Sequence, residues 1–347
     1  MNGKKMNKYD ELFDFRIANI NDIDNIMLFI KEEWSSNHIL AYDKNFFIWM
    51  YGNEDSSEIN FVLMLDKDNN IKGLNGFIKY SQDSSRLYVS SAITKVSNSV
   101  TIPLAGVELI KRFHLLINAK GYYSYGTNPK TMIPIAQRIF KYDTGYMDQY
   151  YRVNSKMDNF AIAAVNNKIV LPIKKEKWSL CQIFSDDELS GFDFEKSYDG
   201  QAYKSKDYLI KRYFMHPIYS YKKYFIQDET SQKKGLLVAR EIAISGKKIL
   251  RIVDFIGDLT ALSHIGYAID NLIIMDNYEY VDFYEKGIPE EYMKEMGFAK
   301  NTGENVIPHY FEPFLQENIK LMYQRSNKNI VIFKADGDQD RPNIFRR

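Results

Sequence analysis

Hydrophobic and polar positions in the first half of the chain predict short, alternating strands and helices. Residues 15–20 predict a strand, and Asn21 then supplies a helix cap. An amphipathic helix follows, with apolar residues at i, i+3, i+4 and i+7: Ile23, Ile26, Met27 and Ile30. The first strand is therefore expected to run directly into a helix that covers a sheet.

A second short helix is predicted over 43–51, before a hairpin whose strands, 61–65 and 71–80, flank a polar turn. The next elements expected are a strand, a helix, a strand and a helix over 86–96, 102–118, 122–126 and 131–142. Helices placed between strands in this way predict an α/β fold with mixed sheets.

The second half repeats this order at a constant spacing. Tyr213 lies 213 − 51 = 162 residues after Tyr51, and Gly235 lies 235 − 73 = 162 residues after Gly73. Strands are predicted at 249–253, 280–284 and 330–333, and helices over the stripe Leu262 to Ile273 and over 288–296. The recurrence predicts a duplication.

Length and composition favour two domains. A chain of 347 residues with 45% hydrophobic content is longer than the chains that usually fold around one hydrophobic core. We expect an N-terminal domain over 1–153, a connecting segment over 154–185 and a C-terminal domain over 186–347.

Charge and cysteine content exclude several classes of function. The 46 Lys plus Arg and 45 Asp plus Glu leave a net charge of +1, which disfavours nucleic acid as a main substrate. One cysteine, Cys181, excludes an internal disulfide framework. We see no secretory signal and no stretch that would insert into a membrane, so a cytoplasmic location is expected, with a homo-oligomer left open.

Several phrases in the sequence resemble the GNAT acyltransferase fold. Gly126-Thr127-Asn128, a helix and then Gly145-Tyr146 are similar to the Gly-x-Asn, helix, Gly-aromatic pattern near the end of GNAT domains. Met296-Gly297-Phe298 matches the same helix ending in the second half. The resemblance implies two tandem GNAT-like domains.

Four further segments resemble tandem-GNAT sugar N-acyltransferases of surface-polysaccharide pathways, such as O-antigen synthesis. They are Asn37-His38-Ile39-Leu40, the stretch from Arg212 to Tyr221, Pro308 to Phe314, and Lys334 to Asn343. This resemblance implies acyl-CoA as co-substrate and the amine of a dTDP- or UDP-linked deoxyamino sugar as acceptor. From the loops at the two expected coenzyme A sites, we further expect the first domain to hold acyl-CoA and the second to form the acceptor-binding surface.

The expected coenzyme A loop departs from the family pattern. GNAT domains usually carry Arg/Gln-x-x-Gly-x-Gly/Ala, whose backbone N–H groups and helix dipole bind the diphosphate. Here the loop from Ser97 to Gly106 has no basic lead residue and only the last glycine, while Pro103 suits a first helical turn. The resemblance assigns Lys95, Val96 and Ser97 to the oxyanion through main-chain N–H groups. The other expected cofactor contacts are Thr101, Ile102, Pro103, Leu104, Ala105, Gly106 and Asn128.

The corresponding segment of the second half carries Asp254 and Asp258. Two carboxylates repel a phosphate, so we expect this half to bind coenzyme A poorly.

Histidines are the natural proton acceptors near neutral pH. His38, in the loop between the first two helices that usually faces the acceptor, and His216, before Pro217, are the catalytic candidates. For His216 the alternative is that it caps the end of a short helix. His114 and His264 are expected to be structural, and a proton lost through water would need no base. The expected substrate-binding residues are Arg212, Tyr213, Tyr219, Tyr221, Arg240, Asp254, His309 and Tyr310.

No metal is expected, because the alternating Asp336, Asp338 and Asp340 are not followed by the bidentate glutamate of a calcium loop. Two other functions stay open. One is transfer of an aminoacyl group from tRNA, as in the tandem-GNAT peptidoglycan enzymes. The other is a non-catalytic binding protein whose coenzyme A sites have decayed.

Overall fold

The computed structural model describes residues 7–53, 56–195 and 202–342, so Asn343 lies outside the described residues. The chain divides into two compact units. The first unit contains the described residues up to Ser124 together with Arg341 and Pro342, and the second contains those from Tyr125 to Asp340.

The first unit is a five-stranded mixed sheet with helices. Its strands, in the order β1-β2-β3-β4-β5, are β1 (Asp14–Asn19), β2 (Glu58–Leu65), β3 (Ile71–Lys79), β4 (Tyr88–Val96) and β5 (Gly121–Tyr125). Neighbouring strands are antiparallel except β4 and β5, which are parallel. The helices are α1 (Lys8–Leu12), α2 (Ile23–Phe29), α3 (Lys44–Tyr51) and α4 (Ala105–Ile117).

Local sequence explains where these elements begin. Asn19 and Asp22 form a capping box before α2, and the Asp43 carboxylate accepts the Phe46 N–H at the start of α3. On one face of the sheet, Leu109 and Phe113 of α4 join the apolar cluster that includes Val62 and Phe77. The strands and helices predicted in this half are confirmed, with ends shifted by a few residues. The predicted cap is wrong by two residues, because the Asn19 side chain accepts the Asn21 N–H.

The second unit holds the remaining elements. Its strands are β6 (Asp143–Tyr146), β7 (Asp148–Val153), β8 (Ser179–Ile183), β9 (Lys222–Gln227), β10 (Lys233–Ile244), β11 (Lys247–Gly257), β12 (Tyr280–Lys286), β13 (Ala299–Lys300), β14 (Met322–Arg325) and β15 (Ile332–Phe333). Its helices are α5 (Met132–Ile135), α6 (Lys206–Leu209), α7 (Gly266–Met275) and α8 (Glu290–Glu295). The main sheet has the order β13-β7-β12-β11-β10-β9-β8.

The spacing of 162 recurs in the structure. Helix α6 begins at 206 and α3 at 44, and β10 begins at 233 and β3 at 71, so both differences are 162. In each sheet an antiparallel series ends in one parallel pair, β4 with β5 and β11 with β12. These parallels support the duplication, which stays a hypothesis.

Two strands pair with the opposite half of the sequence. Strand β7 lies between β12 and β13, with Asp282 opposite Tyr151 and Ala299 also opposite Tyr151. Strand β14 pairs with β6, with Gln324 opposite Thr144. Strand β7 of the first half therefore pairs with strands of the second half, and β14 of the second half pairs with a strand of the first half.

This exchange bears on the expected domain boundaries. Residues 148–153 were assigned to the N-terminal domain, whereas β7 pairs with β12 and β13. The expected connecting segment, 154–185, ends in β8, which pairs with β9, and Ile162 and Ala163 lie in an apolar core. The boundaries stay a prediction about independent folding, and the compact units are divided at a different place.

A chain cut between Val153 and Asn154 tests the exchange. We expect residues 1–153 expressed alone to lack a cooperative thermal transition, because β6 loses β14 and β7 loses both of its neighbours. Co-expression with residues 154–347 should restore a complex that melts like the full chain, as followed by circular dichroism and size exclusion. A cooperative melt of the isolated 1–153 fragment would contradict the expectation.

Candidate functional site

The loop after β4 is partly committed to internal hydrogen bonds. The Ser97 N–H donates to the Lys72 carbonyl (2.8 Å), and the Val100 N–H donates to the Ser97 carbonyl (3.1 Å). The Glu33 carboxylate accepts the Ser97 hydroxyl (2.7 Å) and the Asn98 N–H (3.1 Å). The hydrogen bond from Ser97, followed by the one from Asn98, lowers the pKa of Glu33.

The remainder of the loop is open. Thr101, Pro103 and Leu104 are exposed, and no acceptor is recorded among the described residues for the N–H groups of Thr101, Ala105 and Gly106. These N–H groups lie just before α4 or in its first turn. The helix has 13 residues, and the positive end of its dipole lies at this N-terminus. An anion can therefore reach free N–H groups at this end of α4.

Leu104 gives this loop an unusual backbone. Its φ is 62° and its ψ 18°, in the left-handed region, although its side chain is 65% exposed. A left-handed residue followed by a helical one turns successive N–H groups toward one point, which forms an anion-binding concavity. The Tyr9 hydroxyl donates to the Pro103 carbonyl (2.7 Å) and so fixes the preceding peptide. Leu104 stands at the position where the GNAT pattern has glycine, and its left-handed backbone costs about 1–3 kcal/mol in free energy.

Strand β4 separates from β5 just before this loop. The two strands pair only over Tyr88 to Ser90, opposite Gly121 to Tyr123. The register of β4 against β3 shifts between Asn75 and Phe77, so that Ala92 and Ile93 together oppose Gly76. No described strand pairs with residues 91–96 on the β5 side, and a split opens in the sheet.

The oxyanion positions expected from sequence lie beyond this distortion. The Ser97 N–H is held by the Lys72 carbonyl on the β3 side, and because the N–H groups of a strand point alternately to its two edges, the Val96 N–H points to the open edge. The oxyanion role expected for Lys95, Val96 and Ser97 stays a prediction. The irregularity that turns main-chain groups out of the ladder is earlier, at Ala92 and Ile93. Sequence alone did not indicate it, because a bulge leaves no fixed residue signature here.

In the second unit, the corresponding split is closed by the chain itself. Strand β11 pairs with β12 only over Leu250 to Ile252. Strand β15 then pairs with Glu285 and Lys286 of β12, and the Ala335 N–H donates to the Val253 carbonyl (2.8 Å). Residues 332–335 thus bond to both diverging strands.

Asp254 belongs to a buried network beside this closure. Its carboxylate is fully buried and accepts from the Lys204 ammonium (2.6 Å) and the Tyr213 hydroxyl (2.5 Å). Lys204 also contacts Asp336 (2.8 Å), whose carboxylate accepts the Phe333 N–H. Burial opposes the charge on Lys204, but Asp254 and Asp336 raise its pKa.

A second set of expected substrate residues converges on Asp340. Its carboxylate accepts from Arg240 (2.9 Å) and the Tyr221 hydroxyl (2.9 Å), and its carbonyl accepts from Arg212 (3.0 Å). Burial favours neutral Asp340, but Arg240, then Lys334 and Arg212, outweigh it and lower the pKa. The Arg240 guanidinium also lies 4.1 Å from the centre of the Tyr219 ring.

His309 and Tyr310 adjoin a third buried group. Arg251 pairs with Asp282 and donates to the carbonyls of His309 and Pro308, both at 2.7 Å. Burial, followed by Lys334 and Arg251, lowers the pKa of His309 well below its usual range. The rings of His309 and Tyr310 lie 4.7 Å apart.

The eight substrate residues expected from sequence therefore lie in the second unit. Five of them contact segment 334–340, its Lys204 partner or Arg251: Arg212, Tyr221, Arg240, Asp254 and His309. A sixth, Tyr213, donates to Asp254. These residues are engaged with one another, so their interactions in this structure are structural. Their role in binding an acceptor stays a prediction.

The two histidines expected to be catalytic make capping contacts. His38 is buried and its Nδ1 accepts the Leu40 N–H (3.2 Å), which leaves the ring proton on Nε2 as a tautomer inferred from this bond. His216 Nδ1 accepts the N–H groups of Ile218 (3.1 Å) and Tyr219 (2.9 Å). Burial, followed by Arg212, lowers the pKa of His216 to about 3, which makes it a weak base.

Asn128, the last expected cofactor contact, lies in the second unit and its Oδ1 accepts the N–H groups of Lys130 and Thr131 before α5. Among the described residues, no group of three or more His, Cys, Asp or Glu side chains is arranged to hold a metal ion. Over the same residues, no helix combines the length and apolarity required to cross a bilayer.

Solved structures share this fold. The chain superposes on a GCN5-related N-acetyltransferase from Anabaena variabilis with a TM-score of 0.53 and 11% identity, covering 91% of this chain and 73% of that one. A conserved protein of unknown function from Enterococcus faecalis, named as a probable N-acyltransferase, gives 0.53 and 9%, with coverage of 90% and 71%. N-myristoyltransferase from Saccharomyces cerevisiae with bound myristoyl-CoA scores 0.45 at 9% identity, with coverage of 93% and 82%.

No protein-family model matches the chain, and no curated protein matches it. At these identities the structural likeness shows the fold alone. The chain has a mixed α/β fold of the GNAT type with two mixed sheets, as the sequence predicted.

Replacing Lys204 by methionine tests the buried network. We expect Lys204→Met to lower the free energy of unfolding by about 3–5 kcal/mol, because Asp254 and Asp336 are left buried without their cation. Lys206→Met, which removes an exposed lysine two residues away, should stay within about 0.5 kcal/mol of the wild type. Urea unfolding followed by fluorescence measures both, and equal stability of the two variants would refute a structural role for Lys204.

Proposed function

We propose that the chain is an acyl-CoA-dependent N-acyltransferase whose first unit holds the acyl donor. The observation that carries the proposal is the open split between β4 and β5, which ends beside the N–H groups that begin α4 and have no acceptor among the described residues. A diphosphate suits that concavity, and the two amides of the pantetheine arm suit an unpaired strand edge. The GNAT fold of the N-acetyltransferase that the chain resembles agrees with this activity.

The reaction follows from this arrangement. An uncharged amine attacks the thioester carbonyl, a C–N bond forms, and main-chain N–H groups near the bulge at Ala92 and Ile93 stabilise the oxyanion. The intermediate collapses with cleavage of the C–S bond, and the thiolate of coenzyme A receives the proton that the amine loses. Burial lowers the pKa of His216 to about 3, so this ring is a poor base for the amine. We expect water to carry the amine proton to the thiolate.

One donor site per chain is the second part of the proposal. In the second unit, residues 332–335 occupy the split between β11 and β12, and Asp254 is enclosed by Lys204 and Tyr213. The described residues of the second unit then offer neither a strand edge nor an open anion site to a second coenzyme A.

The acceptor class rests on the sequence resemblance. The four segments similar to tandem-GNAT sugar N-acyltransferases favour the amine of a dTDP- or UDP-linked deoxyamino sugar in surface-polysaccharide synthesis. Of these segments, the one at Asn37 to Leu40 lies in the first unit, where the Trp34 ring is exposed and lies 4.7 Å from that of His38. An exposed aromatic ring suits a base or sugar face.

A carboxylate placed in the loop tests the donor site. Wild-type protein at a coenzyme A concentration about 100 times Kd should gain about 2.7 kcal/mol of stability. We expect Gly106→Asp to abolish this gain through repulsion of the diphosphate. The variant should still fold, because a Cβ at Gly106 meets only the Val96 side chain, at 3.8 Å, and an acid suits the first turn of α4.

Leu115→Asp, which adds the same charge at an exposed position on the far end of α4, is the matched control. It should keep the stabilisation by coenzyme A in a thermal melt. If Gly106→Asp binds coenzyme A as well as this control does, the loop is not the diphosphate site.

Activity is tested with acetyl-CoA and longer acyl-CoA donors against a panel of dTDP- and UDP-amino sugars. We expect free thiol to appear only with an amino sugar present, and we expect ribonuclease treatment to have no effect. Activity that ribonuclease destroys would favour an aminoacyl-tRNA donor instead. Failure of every donor and acceptor to release thiol, together with no protection by coenzyme A, would favour a non-catalytic protein.

A further inference from the structure

Three polar side chains, one buried and two partly exposed, lie together in the first unit at the edge of the open split. Asn75 of β3 is 1% exposed, and its Oδ1 accepts the Ser91 hydroxyl (3.2 Å). The hydroxyls of Ser91 and Thr94 lie 3.3 Å apart. Ser91 is the first residue of β4 beyond its pairing with β5, so the group borders the split directly.

The Asn75 carboxamide is only half satisfied. Its Nδ2 is buried and makes no hydrogen bond with any described residue. A buried amide donor without an acceptor loses its hydration without compensation, and such groups are rare in folded proteins. Because Asn75 lies opposite Val62, a member of the apolar cluster beneath α4, an apolar residue would be the expected occupant.

The second unit shows that the fold does not require polar residues there. When the two sheets are aligned by their strand pairing, the pair Gly73–Val96 of the first unit corresponds to the pair Gly235–Gly257 of the second. Two residues further along β3 and β10, the pair Asn75–Thr94 corresponds to the pair Leu237–Phe255. Beyond the bulge, Ser91 corresponds to Ile252.

These three counterparts, Leu237, Ile252 and Phe255, are fully buried in one apolar cluster with Ile269 and Ile273 of α7. The unit whose split is closed by β15 has an apolar core at these positions. The unit whose split is open has the polar group at the same positions.

We infer that Asn75, with Ser91 and Thr94, is a positioning group for the acyl donor: its Nδ2 donates to a carbonyl oxygen of the ligand that enters the split. The inference rests on the proposed function. If Ser91 donates to Asn75 Oδ1 and Thr94 donates to Ser91, the two N–H groups of Nδ2 are the unused donors, so the partner must be an acceptor. Acyl-CoA offers such oxygens on the pantetheine amides and on the thioester.

The test compares Asn75→Leu with the wild type in two measurements. Since the substitution removes an unsatisfied buried donor, the melting temperature of the ligand-free protein should equal or exceed that of the wild type. Affinity for acetyl-CoA by calorimetry should fall about three- to tenfold, the value of one hydrogen bond. Asn75→Thr, which keeps one hydroxyl donor and suits a strand, should recover part of the lost affinity.

Asn154→Leu is the matched control, because Asn154 is as buried but its Nδ2 donates to the Tyr278 carbonyl (2.9 Å). We expect a lower melting temperature and unchanged affinity for this variant. Equal losses of coenzyme A and acetyl-CoA binding in Asn75→Leu would assign a pantetheine carbonyl, whereas a loss confined to acetyl-CoA would assign the thioester carbonyl.

Two results would overturn the inference. If Asn75→Leu is destabilised like Asn154→Leu and binds both ligands with wild-type affinity, Asn75 is a structural residue and the proposed donor site stands without it. If the wild type itself binds neither coenzyme A nor acetyl-CoA, the proposed function fails and the positioning role fails with it.

Discussion

Each of the two sheets contains one parallel pair of strands, and this pair stays in register over only three residues of each strand. β4 leaves β5 after Ser90, and β11 leaves β12 after Ile252. A strand edge exposed inside a protein needs partners for its N–H and carbonyl groups. The second unit supplies them from its own chain through Phe333 and Ala335. In the first unit no described strand pairs with this edge of β4, and the partner that we propose for it is the acyl donor. The difference in function proposed for the units follows from this one difference in pairing.

Closing the second split has consequences for the residues around it. Segment 332–340 brings Asp336 and Asp340 into the interior, where each must meet a cation. Lys204 forms ion pairs with Asp336 and Asp254, and Arg240 forms one with Asp340. The residues that make the sequence resemble sugar acyltransferases are thus, in large part, those that hold this segment in place.

Sequence patterns predicted the elements whose signals are local. Helix α3 follows its cap at Asp43, and strands β3 and β10, which contain Gly73 and Gly235, occur where the spacing of 162 indicated. The exchange of β7 and β14 was not predictable, because short strands carry no information about distant partners. Contacts such as Glu33 with Ser97, 64 residues apart, are equally invisible in one sequence. The left-handed Leu104 was missed because that conformation normally requires glycine.

The composition of the loop determines which forces hold a donor there. Lys95 donates to Asn98, Lys72 pairs with Asp66, and the Glu33 carboxylate already accepts the Asn98 N–H. A diphosphate at this end of α4 would therefore be held mainly by backbone N–H groups and the helix dipole rather than by lysine or arginine. Phosphate contacts of that kind are weak singly, so most of the binding energy must come from the arm that enters the split. The polar group at Asn75 lies where that arm would pass.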